Sequence, residues 1–132
     1  KIAQKTSLSE DEEWEALVLD TIGELACTYA VANCAFIGGS LIPWGGQNLL
    51  EPAFYEKPVF FGPHMDNFAY FAHVFVESGG AKIVQTEEEL IHVFLFKDEK
   101  GLFNMGKKAK QTLNSLQGAT GVTLEAVENR ML

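Results

Sequence analysis

"CAFIGGSLIPWGGQNLLEPAFYEKPVFFG" (residues 34–62) reads as a strand, a glycine-rich loop, a short helix and a second strand. The flanking runs are apolar at successive positions (Phe36, Ile37; Val59, Phe60, Phe61) rather than at alternate ones, as in strands covered on both faces. Pro52 suits a first helical turn, so the helix should begin between Asn48 and Glu51. Two strands joined through a helix make a crossover unit and predict a parallel sheet.

Working outward, "EALVLD" (15–20) and "AKIV" (81–84) add two short β-rich runs, each next to a helical pattern. The fold class that follows is α/β, a Rossmann-like parallel sheet flanked by helices. Capping-box patterns, Thr21 with Glu24 and Thr86 with Glu89, precede "LACTYAVA" and "LIHVFLF". Phe68, Phe71, Ala72 and Phe75 share one helical face and read as core, with Gly79-Gly80 as the stop. From Lys97 onward two helices are expected, "KGLFNMGKKAKQTLNSL" and "GVTLEAVENRML", separated by "QGATG". "KIAQKTS" reads as an edge strand or a disordered leader, and "SEDEEWE" as a loop. A doubly wound sheet starting there would lack its first strand and helix.

The 132 residues, 47% hydrophobic with ten Phe, suffice for one domain (1–132) with its own core, without disulfides or metals. A net charge of -8 opposes binding to nucleic acid or to an anionic lipid surface. Only Lys107, Lys108 and Lys110 cluster, and a solvated helix face accounts for them. No apolar run approaches the roughly 18 residues of a membrane span. Cys27 and Cys34 lack redox or metal spacing and read as reduced packing residues, and the scattered His64, His73 and His92 suggest no metal site.

In an open α/β sheet, ligands sit beyond the carboxyl ends of the strands. The stretch "FIGGSLIPWGGQNLLEP" (36–52) carries such a loop. Gly45 and Gly46 let backbone approach a ligand, amide groups at the helix start suit a phosphate, and Glu51 can accept hydrogen bonds from a ribose diol. Asn48 and Glu51 equally make an N-x-x-E capping box. Ser40 and His64, on neighbouring strand-end loops, can line the same cleft.

The stretch "DTIGELACTYAVANCAFIGGSLIPWGGQNLLEPAFYEKPVFFGPHMDNF" (20–68) resembles the carboxyl-terminal half of bacterial 3-deoxy-D-manno-octulosonic acid (Kdo) transferases. The shared pattern is DTxGEL, FxGGS, P-GGxNxLEP, KPVxFGP and NF, continuing more loosely to the end of the chain. The resemblance implies a GT-B donor-binding domain for CMP-Kdo, with Gly45, Gly46 and Asn48 around the phosphate and Glu51 on the ribose. It further implies inverting transfer of Kdo to a lipid A precursor at the cytoplasmic side of the bacterial inner membrane, with no cofactor beyond the nucleotide sugar. The base and the membrane-associating surface belong to the family's amino-terminal domain, so no catalytic residue is assigned here and the chain alone is expected to be inactive. Trp44, Gln47 and Glu56 depart from the family pattern, which often has Arg, His and Gly there. A UDP-sugar enzyme of the same architecture and a non-catalytic interaction domain are the alternatives.

Overall fold

The computed structural model describes residues 1–95 and 98–128. Its strands are β1 (Ile2–Gln4), β2 (Ala16–Val18), β3 (Ala35–Ile37), β4 (Val59–Phe61) and β5 (Ala81–Ile83). Its helices are α1 (Leu25–Tyr29), α2 (Leu50–Phe54), α3 (Ala69–Glu77), α4 (Glu87–Leu95) and α5 (Glu99–Glu128). Every run expected to be a strand is one, and "KIAQKTS" contributes β1.

All strand pairs are parallel, but they form two sheets rather than one: β1–β2, and β3–β4–β5 with Ala35 beside Val59 beside Ala81. All three β4 residues are buried, as a strand with neighbours on both edges and helices on its faces must be. The core joins Ile37, Leu49, Val59, Phe61, Phe75, Ala109 and Leu113, with Phe68 and Phe71 packed at its margin. The aromatic stripe of α3 is therefore core.

Helix ends follow from local chemistry. Gly79, at φ 74°, donates to the Val76 carbonyl (3.0 Å) and Gly80 to the Phe75 carbonyl (2.9 Å), a Schellman stop for α3. Thr86 caps α4 by accepting the Glu89 N–H (3.2 Å), while Glu89 reaches back to the Gln85 N–H (2.7 Å). Thr21 and Glu24 instead bond to each other through their side chains, leaving α1 without a side-chain cap. The observed α1, Leu25–Tyr29, is also shorter than the expected "LACTYAVA".

The last third corrects the two-helix expectation. Asp98 caps α5 by accepting the Gly101 N–H (3.0 Å), and the helix runs unbroken to Glu128. Gly118 and Gly121 weaken a helix by about 1 kcal/mol each relative to Ala, but no proline breaks it. Residues 129–132 of the expected second helix lie outside the described residues. Helix α5 returns across the sheet at close range. A Cβ on Gly80 would stand 2.7 Å from the Ala109 backbone, and one on Gly106 would stand 1.9 Å from the Glu56 carbonyl oxygen.

Candidate functional site

The site is built where β3 and β4 end. Ser40 is fully buried; its Oγ donates to the Ile37 carbonyl and accepts the Gly62 N–H at 2.8 Å. Gly62 is confined there, since a Cβ would lie 2.2 Å from the Ser40 carbonyl oxygen. The His64 N–H donates to that same carbonyl at 2.9 Å. Ser40 thus ties two strand-end loops together, and its inward side chain corrects the expectation that it lines the cleft. His64 is half-buried on the second loop.

The glycine-rich loop closes onto these two segments. The Gly46 N–H donates to the Gly39 carbonyl (3.2 Å), and the Asn67 N–H to the Gly45 carbonyl (3.0 Å). Asn67 does not cap α3; its side-chain amide reaches the Gly46 carbonyl at 3.4 Å. Gly45 and Gly46 have φ of 85° and 72° and are buried. A Cβ on Gly45 would lie 2.6 Å from the Asn67 amide, and one on Gly46 2.3 Å from Met65 Sδ. Both glycines are required by left-handed backbone and by close packing on the 64–67 loop.

Asn48 and Glu51 form a direct pair. Asn48 Oδ1 accepts the Leu50 N–H (2.9 Å) at the start of α2, and its Nδ2 donates to Glu51 Oε1 (3.1 Å). Their geometry is an Asx turn holding a carboxylate, not the reciprocal capping box, because Glu51 does not return to the Asn48 backbone. Glu51 stays half-buried, and α2 is only five residues long, so little macrodipole supports an anion here. Trp44 stands at the loop apex, 76% exposed.

Sequence reasoning passed over Tyr29. Helix α1 packs on α2, and burial together with the Glu51 charge pushes the Tyr29 phenol up. The only signal was its place in "LACTY", inside the stretch that carries the family pattern. Cys27 is exposed rather than packed, while burial raises the half-buried Cys34 thiol.

A cleft of about 610 Å³ lies elsewhere, between Cys34, Lys57, Pro58, Phe94 and Phe103. It opens at the amino ends of β3 and β4. Ligands of open parallel sheets bind at the carboxyl ends, where the glycine loop, His64 and Glu51 are, so concavity alone does not identify the site.

No family model matches the chain. It is 33% identical over 90 residues to the 3-deoxy-D-manno-octulosonic acid transferase of Haemophilus influenzae, which covers 68% of the chain and 21% of that protein. Against the transferase of the same name from Bordetella pertussis it is 32% identical over 117 residues, 87% of the chain and 27% of that protein. The chain thus spans about a fifth to a quarter of these relatives' length. Among solved structures it is similar to the C-terminal CMP-Kdo binding domain of WaaA from Acinetobacter baumannii. That likeness has a TM-score of 0.64 at 29% identity and covers 73% of the chain and 53% of that domain. By sequence and by fold together, the chain belongs to the 3-deoxy-D-manno-octulosonic acid transferase family, as the counterpart of its carboxyl-terminal domain.

Proposed function

We propose that this chain is the donor-binding domain of a glycosyltransferase that moves Kdo from CMP-Kdo to a lipid A precursor, with inversion at the anomeric carbon. The observation that carries this reading is the Glu51 carboxylate, fixed by Asn48 beside a glycine loop at the carboxyl ends of a parallel sheet. The likeness to a CMP-Kdo binding domain supports it.

In this reading Gly45, Gly46 and Asn48 surround the phosphate, His64 flanks it, and Glu51 accepts hydrogen bonds from the ribose hydroxyls. Ser40 acts one layer back by fixing the loops. Fixed polar groups at the phosphate stabilise charge on the departing CMP, while a base on the acceptor side takes the hydroxyl proton. That base is not assigned to any residue of this chain. The donor needs no further cofactor, and the complete enzyme works at the cytoplasmic face of the bacterial inner membrane, where its lipid acceptor is found.

The test is a backbone-amide titration with CMP and, separately, UMP. CMP is expected to move Gly45, Gly46, Asn48 and Glu51, with a weaker response to UMP. Glu51→Ala should lower CMP affinity by roughly tenfold or more, the worth of a hydrogen bond to a charged group. An equal response to both nucleotides assigns the chain to a different donor, and no response removes the nucleotide site.

A further inference from the structure

A nucleotide sugar is a linear ligand: sugar, phosphate, ribose and base follow one another, so a site must meet them in that order. With the phosphate at Gly45 and Gly46, the ribose falls to Glu51, which follows the glycine pair at the start of α2. The transferred sugar, on the other side of the phosphate, then falls to the flank of the loop that precedes the pair. That flank is Ile42, Pro43 and Trp44, all exposed.

The Trp44 side chain is rooted at the carboxyl end of β3. A Cβ placed on Gly39 would lie 3.6 Å from Trp44 Cβ, so the indole starts beside the first residues past the strand. Its backbone is held on both sides: the Trp44 N–H donates to the Ile42 carbonyl (2.7 Å), and the Trp44 carbonyl accepts the Asn67 side-chain amide (3.5 Å). The residue is still 76% exposed, so a fixed stem carries a large aromatic surface that the chain leaves in water. Gly38 lies one residue before Gly39. Gly39, Gly45 and Gly46 have left-handed backbone and Gly62 is hemmed in by Ser40, but Gly38 has neither reason to be glycine. Its φ is not positive, and a Cβ there would meet nothing within 4 Å. A glycine that neither backbone nor packing requires leaves bare main chain at the end of β3, where a ligand can come close.

We propose that Trp44 and Gly38 bound the sugar subsite of the donor, the indole as its wall and the Gly38 backbone as its floor. The inference rests on the donor-site reading and extends it past the phosphate to the group that is transferred. The chemistry matches. A pyranose ring presents C–H faces, which leave water favourably against an aromatic ring, and hydroxyls at its edge, which stay in water or meet main-chain groups. An aromatic face selects by shape, so this wall reads the ring of the sugar rather than its carboxylate.

The test compares CMP-Kdo with CMP. Trp14→Phe, checked for an intact amide spectrum, leaves Trp44 as the one indole of the chain. Freshly prepared CMP-Kdo, mixed in a stopped flow before it hydrolyses, should change the Trp44 emission, whereas CMP should leave it nearly as it is. Trp44→Ala should weaken CMP-Kdo by roughly 5- to 30-fold, the worth of covering part of one aromatic face, and CMP by less than about 2-fold. Gly38→Ala, which puts a methyl into open space, should not lower the urea midpoint, yet should weaken CMP-Kdo more than CMP. Equal weakening of both ligands by Trp44→Ala puts the ring on the nucleotide and overturns the sugar subsite. CMP-Kdo binding that neither substitution weakens overturns it too. In both cases amide shifts at Gly45, Gly46, Asn48 and Glu51 with CMP leave the donor site standing. Failure of the wild type to bind either ligand overturns both.

Discussion

Glu56 adopts φ 57°, the one non-glycine residue with positive φ among the described residues, just where the family pattern has glycine. Left-handed backbone costs an ordinary residue about 1–2 kcal/mol, against which glycine's extra freedom in the unfolded chain must be set. Glu56→Gly should therefore raise stability by up to about 1 kcal/mol, read as a higher urea midpoint at unchanged slope; a lower midpoint would mean that the Glu56 side chain contributes a contact of its own. Gly62 is the opposite case. A Cβ there meets backbone that cannot rotate aside, so Gly62→Ala should destabilise by about 1–3 kcal/mol in the same assay. Ser40→Ala leaves the buried Gly62 N–H without its acceptor and should cost a similar amount, about 1–3 kcal/mol. The roles of Gly45 and Gly46 were only half legible in the sequence. Their spacing pointed to a loop at a strand end, but the neighbours that forbid a side chain, Met65 and Asn67, are about twenty residues away in sequence and become neighbours only on folding.

At the scale of elements, successive apolar positions located β3 and β4, and the i, i+3, i+4 stripe located α3, because both periodicities are local. Two features were not local. Whether four or five parallel strands make one sheet or two depends on hydrogen bonds between distant segments, and whether Gly118 and Gly121 end a helix depends on the cooperativity of the whole helix. The β1–β2 pair shows what holds such a small unit. Asp20, just beyond β2, accepts the Thr6 N–H at 3.0 Å and the Thr6 hydroxyl as well. These bonds hold the Asp20 carboxyl below the usual carboxylate range. A depressed folded-state pKa gives a contribution that is present above the unfolded-state value and is lost as pH falls through the folded-state one. The Thr6 amide should accordingly lose its bonded chemical shift only at acid pH, below the ordinary Asp range, while the β3–β4–β5 amides stay in place. Asp20→Asn should abolish that step; an unchanged acid transition would assign it to another group, such as Glu12, which its bond to Lys1 also holds low.

Across the whole molecule, packing is uneven. The core cluster runs from Ile37 to Leu113, whereas before Ala35 the only buried residue is Ala3. The first third meets the rest where α1 packs on α2 and where Lys57 bonds to Ala30, and it leaves Ile22 and Val31 largely in water. Resistance to opening follows buried apolar contact, so the two sheets should not open together. Hydrogen exchange is expected to protect β3, β4 and β5 with a free energy near that of global unfolding, and to find β1 and β2 opening at markedly lower cost. Phe75→Ala, which empties a fully buried site at a cost of about 3–5 kcal/mol, should lower protection in β3–β5 far more than in β1–β2. If both sheets exchange at one common rate, the chain opens as a single cooperative unit and the uneven packing does not divide it.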